Sequence, residues 1–456
     1  MLRVRQPGCR DRCAVGEAGA QATPAAAAWL DSPSSRHGQP ARRTFVFGAC
    51  GLALALARAQ TPAPPAPLAP SAPVPSFSEA ARQRLWGGSA DEAERFEQQR
   101  LALLALAQRH LEAGEADSAM EALERAALMR HAADTELAQV RALMAQGHYQ
   151  RALAACAHTA GAHRDERAGA ALYTWLLHLG GQSVVAQRLL GEALRRSPDD
   201  ALLLHTRAEL GSDWPLAGPP LRQGPWHAAP WPHGPGAAAA VAADARLIGT
   251  ATLLGDGAQA VTRALPLPAG ARLWLRNGLG QTVEVARRRA VAAPDAAADA
   301  FEVLSLSQPL PPPAWEPAAR EPFAGSPAFM VEYAPDPHGR AAWPLLRQGF
   351  FAGVPGSTRS RPLGVEAPSG ARGGPVFDAF GRLAGVALPA AGPAGANPAL
   401  SAGDRLLGSL HLAAAVAGLV PAATPMRSAP RIGPELAYEL ALRGALQLLT
   451  DAPPGG

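Results

Sequence analysis

The sequence contains no lysine: all 42 of its basic residues, across 456 positions, are arginine. Isoleucine appears only at Ile248 and Ile432, and asparagine only at Asn277 and Asn397, the replacement pattern of a very GC-rich bacterial coding sequence. Cysteine is scarce as well. Cys9, Cys13 and Cys50 precede residue 60, which leaves Cys156 alone downstream, and one thiol closes no internal disulfide. No spacing of Cys and His marks a metal centre, and nothing signals a nucleotide or a flavin, so neither metal nor cofactor is expected. No apolar run reaches transmembrane length, so no membrane span is expected.

Charge is sparse, at 18% of residues, with a formal net of +4. That excess is local. Residues 1–59 carry eight arginines against Asp11, Glu17 and Asp31, whereas the remainder carries 34 arginines against 35 acids. With the basic balance confined to the leader, the electrostatic argument for a nucleic-acid partner disappears. The run Arg287-Arg288-Arg289 reads as a solvated strand end.

What is abundant is glycine (46) and proline (45), which punctuate a chain long enough for two or three domains. Residues 1–59 read as a leader. Ala41-Arg42-Arg43-Thr44-Phe45-Val46 precedes an apolar stretch to Leu56 and small residues at Ala57 and Ala59, the design of a secretory signal; the paired arginines resemble a twin-arginine export signal. This places the chain in the periplasm or outside the cell. Residues 60–76, dominated by Pro and Ala, read as an extended linker.

Over 77–210 apolar residues recur at three- and four-residue spacing, the pattern of amphipathic helices. Ala119, Ala152 and Ala186 recur 33 and 34 residues apart, each five positions after a glycine (Gly114, Gly147, Gly181) and four before Leu123, Cys156 or Leu190. At that period the segment resembles the tetratricopeptide repeat, best in its third copy and weakest in its second. Residues 211–240, rich in Pro, Gly and Trp, read as a linker whose Trp214, Trp226 and Trp231 pack on a neighbour. Short alternating runs follow: 247–254, 271–276, 282–286, 301–306, 329–333, 348–354, 375–377 and 383–388, separated by turns such as Gly255-Asp256-Gly257 and Asn277-Gly278. Many short strands with such punctuation make a barrel or sandwich. Leu436, Leu440, Leu442 and Leu446 keep helical spacing over 433–450, so the tail, 423–456, is expected to hold one short helix that caps an apolar surface.

Gly370-Ala-Arg-Gly-Gly-Pro-Val-Phe-Asp-Ala-Phe-Gly-Arg-Leu-Ala-Gly-Val386 resembles the nucleophile region of trypsin-like serine proteases of the bacterial exported type. The resemblance extends backwards over about 180 residues, to Gly249-Thr-Ala-Thr-Leu-Leu-Gly-Asp-Gly257 with Val261-Thr262 and to Ala300-Phe-Glu-Val-Leu-Ser-Leu306. It implies a domain of two six-stranded barrels over 241–422, following the all-α repeats, with the segment 410–419 as its closing helix. It also implies positions for a catalytic triad. Leu265 stands where the histidine belongs, Ala300 where the aspartate belongs (Asp299 is one residue off), and Arg372 where the nucleophilic serine belongs.

Acyl transfer of this kind needs a hydroxyl, an imidazole to take its proton and a carboxylate to orient the imidazole. None stands in place. The amides of Gly370 and Arg372 remain as a residual oxyanion-hole-like pair, and Arg372 itself is expected as a surface residue filling the vacated cleft or binding an acidic peptide end. The expected function is that of an exported, catalytically inactive protease-like scaffold, with proteins or peptides bound through the concave face of the repeats or through the vacated cleft. Two alternatives stand beside it: a serine endopeptidase with relocated groups, drawn from Ser357, Ser369, His227, His233, His338 and His411, and an envelope assembly adaptor working through the repeats alone.

Overall fold

Seven helices of the expected period open the described chain: α1 (Ala90–Ala113), α2 (Ala116–Met129), α3 (Ala133–Ala145), α4 (Tyr149–Ala162), α5 (Arg167–Leu179), α6 (Ser183–Arg196) and α7 (Ala201–Leu210). The computed structural model describes residues 90–453 apart from 224–226, 235–240, 269, 292–299, 354–359, 369–371, 390–403 and 417–429. The leader and the Pro/Ala-rich segment lie outside the described residues, as do Gly370, Asp299 and Trp226.

The first six helices form three hairpins built to one local plan. Each turn is closed by a glycine at φ of +79° to +80° (Gly114, Gly147, Gly181), a conformation that a Cβ would penalise. The amide after each glycine reaches back five residues: Glu115 to the His110 carbonyl, His148 to Leu143 and Gln182 to Leu177, at 2.8 to 2.9 Å. Carbonyls orphaned at the helix end are thereby satisfied three times by the same device. The repeating alanines Ala119, Ala152 and Ala186 are fully buried at the helix crossings, as are Leu123 and Cys156.

After a short helix α8 (Pro219–Arg222), the strands begin: β1 (Arg246–Leu254), β2 (Gln259–Arg263), β3 (Leu273–Asn277), β4 (Thr282–Val291), β5 (Phe301–Leu306), β6 (Pro327–Glu332), β7 (Leu345–Phe351), β8 (Ser360–Val365), β9 (Pro375–Phe377), β10 (Leu383–Leu388) and β11 (Arg405–Gly408). Helices α9 (Ser409–Ala415) and α10 (Pro434–Gly444) follow, and the chain ends with β12 (Ala445–Thr450). Two closed antiparallel barrels result, ordered β1-β12-β3-β4-β5-β2 and β10-β11-β8-β7-β6-β9. Each has six strands, as the resemblance implied.

The last strand corrects the reading of the tail. The expected helix stops at Gly444, and Ala445–Thr450 inserts between β1 and β3, pairing Gln447 with both Thr250 and Arg276. Counted as the first strand of its barrel, β12 gives both barrels one ring order, 1-2-3-6-5-4. Leu446 and Leu448 point into the barrel core, the two-residue alternation of a strand. Leu446-Gln447-Leu448-Leu449 satisfies helical and strand spacing alike, so periodicity alone could not separate them.

Where the sequence suggested a linker between two modules, residues 88–456 form one compact unit with a continuous core. Helix α10 wedges between helices and barrels: the Tyr438 and Tyr149 rings lie 4.4 Å apart, the Gln150 amide donates to Glu439, and Arg443 donates to the Gln146 carbonyl. The hairpin turns face the barrels, Gly147 against Leu279 and Arg443 and Gly181 against Leu346. Of the linker tryptophans, Trp231 takes the Arg141 guanidinium over its ring at 5.2 Å, and Trp214 takes that of Arg347 at 5.0 Å.

Candidate functional site at the barrel seam

The strand ends that the resemblance singles out do meet. Leu265 follows β2 and Ala300 precedes β5, and the Ala264 amide donates to the Ala300 carbonyl at 3.1 Å. Gly373, which follows Arg372, packs against β1 and β2: the Thr252 hydroxyl donates to its carbonyl at 2.9 Å, and a Cβ there would collide with the Thr250 carbonyl and the Thr262 hydroxyl. The backbone beside Arg372 thus lies against a residue three positions before Leu265.

The side chains at these positions go elsewhere. Leu265 is 7% exposed and belongs to the core of the first barrel with Leu253, Leu304 and Leu448. Its amide donates to Glu302 Oε1 at 3.0 Å, and that carboxylate is gripped at both oxygens by Arg288, at 2.9 and 3.0 Å. Arg288, expected on a solvated face, is instead part of a half-buried fork that pins the chain at Leu265.

Arg372 is not a surface residue. It is 2% exposed, and its guanidinium is used up within the chain: Nε donates to Asp404 at 2.8 Å, Nη1 to Glu332 at 3.0 Å and Nη2 to the Pro368 carbonyl at 2.6 Å. The Trp214 ring lies 5.9 Å from it. Glu332, Pro368 and Asp404 belong to the second barrel and its loops, and Trp214 to the segment between α7 and α8. Among the described residues, no hydrogen bond, ion pair or ring contact of Arg372 reaches Leu265 or Ala300. With each of its three nitrogens already bonded inside the chain and the side chain 2% exposed, the guanidinium is not presented to an acidic peptide end.

Glu332 is 1% exposed, and its Oε1 finds no hydrogen-bond donor. Burial pushes its pKa up to about 7, against the pull of Arg372. Burial also lowers the pKa of Arg372, but Glu332 and Asp404 outweigh it, and the net shift is upward. Unfolded, the Glu332 carboxyl releases its proton near 4.5, and folded, near 7, so between those values the native state holds the extra proton. Stability contributed by this group therefore falls as pH rises across that window. Glu332→Gln, which fixes the neutral form, is expected to flatten that slope, as melting temperatures across the same pH range would read.

Relocated chemistry finds no support among the described residues. No histidine nitrogen there hydrogen-bonds a Ser, Thr or Tyr hydroxyl or the Cys156 thiol; His227 and His233 instead contact the carbonyls of Arg222 and Trp231. Cys156 is fully buried, and burial drives its thiol pKa upward, away from a reactive thiolate. Ser357, Ser369 and Gly370 lie outside the described residues.

Beside the seam lies a cleft of about 730 Å³ between the third hairpin and the second barrel, lined by His178, Ser183, Asp213, Arg347, Glu366 and Pro368. His178 there is held neutral: burial and the charge of Arg347 push its pKa down to about 4. Sequence reasoning did not find this cleft, because it forms only where two distant segments meet.

No family model matches the chain, and no curated protein matches it. Among solved structures, one of Deg5 matches at 16% identity over 32% of this chain and 79% of that chain, with a TM-score of 0.23. That likeness carries no weight beside the ring order of the strands, which fits the trypsin-like double barrel. Among the described residues, no helix is long and apolar enough to cross a membrane.

Proposed function

We propose that this chain is a catalytically inactive member of the trypsin-like architecture, exported to the bacterial envelope, whose tetratricopeptide-like hairpins and barrels together form a protein-binding scaffold. One observation carries the reading: at the position matching the nucleophile, a buried arginine is paired with Glu332 and Asp404 and fills the interior it occupies. A permanently protonated guanidinium cannot attack a carbonyl, and Leu265 has no lone pair to accept a proton. With both positions used for packing, surface recognition is the remaining use of the fold. The cleft between the third hairpin and the second barrel, with charges of both signs and apolar Leu345 and Leu346, supports docking of a peptide segment of mixed character.

Purified full-length protein is expected to leave casein intact and to take up no fluorophosphonate. Arg372→Ser is expected to stay equally inert, because Leu265 stands where the resemblance places the imidazole that would take the new hydroxyl's proton. Stoichiometric labelling of the parent chain by the fluorophosphonate would overturn this reading.

A further inference from the structure

The middle hairpin carries a cluster that the barrel chemistry does not use. His131 precedes α3, Glu136 lies in the first turn of α3, His158 lies near the end of α4 and His163 caps it. Because α3 and α4 run antiparallel, the start of one meets the end of the other, and the four side chains converge. Glu136 Oε1 lies 2.5 Å from His131 Nε2, 3.6 Å from His158 Nε2 and 3.5 Å from His163 Nε2, while the Nε2 atoms of His131 and His158 are 3.5 Å apart. One ligand atom from each of His131, Glu136 and His163 falls within 4.8 Å of the others.

We infer that these residues form a divalent transition-metal site, of the closed structural type taken by zinc, in which three imidazole Nε2 atoms and one Glu136 carboxylate oxygen bind the ion. A tetrahedral ion with bonds of about 2.0–2.1 Å separates its ligand atoms by about 3.3–3.4 Å. Of the six ligand pairs in such a site, three already sit at 3.5–3.6 Å, and the His131–His163 pair lies within 4.8 Å. His131 and Glu136 form a close ion pair that opens as the ion enters.

Two further observations point the same way. His163 Nε2 and Glu136 Oε2 are shut off from solvent yet form no hydrogen bond, an arrangement that costs stability unless a partner arrives. His131 and His158, in contrast, are more than half exposed, which leaves the ion a path in. Imidazole with a single carboxylate and no thiol selects zinc and its neighbours, not magnesium or calcium, which take oxygen ligands. Four protein ligands leave no open position, so the ion would staple α3 to α4 and not activate water. The staple falls on the repeat with the weakest helix-packing residues. Sequence spacing concealed it, because each pair is five residues apart and the pairs lie on different helices.

The test uses full-length protein without a histidine tag, stripped with chelator and titrated with zinc by calorimetry. One equivalent per chain is expected, and the cobalt-loaded protein should show the intense visible absorption of four-coordinate cobalt. His158→Ala changes an exposed side chain and should keep the parent's metal-free melting temperature, whereas His131→Ala also removes the ion pair with Glu136 and is compared with the parent by its circular dichroism spectrum to show that it is folded. Each is expected to weaken zinc binding by about tenfold or more, whereas His205→Ala leaves it unchanged. A parent that binds no zinc, or an affinity unmoved by both substitutions, would sink the assignment.

Discussion

Arg372→Ala is expected to destabilise the protein by about 3–5 kcal/mol at a pH of about 8, the loss that follows when one member of a buried ion pair is removed and its partners stay. Glu332 and Asp404 then face each other with no cation between them, in a pocket where Glu332 is 1% exposed and Arg372 was 2%. The penalty should be smaller below a pH of about 7, because there Glu332 of the parent is itself protonated and its ion pair with Arg372 is already lost, whereas in the variant, without the pull of Arg372, the carboxyl keeps its proton to a higher pH still. Exposed Arg125→Ala serves as the comparison, with an expected change within about 0.5 kcal/mol. Denaturant melts at two pH values read all of this. Equal stability of Arg372→Ala and the parent at both pH values would mean that the guanidinium is not the internal staple described above.

Ending the chain after Gly444 is expected to abolish cooperative folding of the first barrel. The six-residue strand lost, Ala445–Thr450, is hydrogen-bonded on both sides, to β1 through Thr450 with Arg246 and Ala445 with Thr252, and to β3 through Leu446 with Asn277 and Thr450 with Leu273. Its removal opens two edges and strands their backbone donors and acceptors. It also takes Leu446 and Leu448 out of the barrel core. Leu448→Ala alone should cost about 2–5 kcal/mol. Rapid proteolysis between 246 and 306 in the truncated chain, set against a resistant parent, is the expected result. A truncated chain that melts at the parent's temperature would show that the strand is dispensable.

Much of this was legible in one dimension because it is local. The thirds of the helical segment announce themselves through Gly114, Gly147 and Gly181, since a left-handed turn has few residues to choose from, and through the small alanines where helices cross. The runs 301–306, 375–377 and 383–388 match β5, β9 and β10, where alternation and turn residues coincide. Strands β8 and β11 went unread. Their short stretches, Ser360–Val365 and Arg405–Gly408, acquire strand character only from the neighbours that pair with them.

Leu265, Ala300 and Arg372 were named from order along the chain, as the positions where the resemblance expects an imidazole, a carboxylate and a hydroxyl. What the string could not hold is direction. Whether a guanidinium at 372 reaches solvent or turns inward depends on Glu332 and Asp404, residues 40 and 32 positions away that only barrel closure sets beside it. The same holds for the tail, whose leucines fit either period until a gap between β1 and β3 selects the strand, and for the histidines of the middle hairpin, which converge only because two helices lie antiparallel. Sequence alone determined the local conformations, because steric limits belong to single residues. Tertiary structure decided burial, pairing and charge compensation, because those free energies depend on distances between segments that the chain itself keeps far apart.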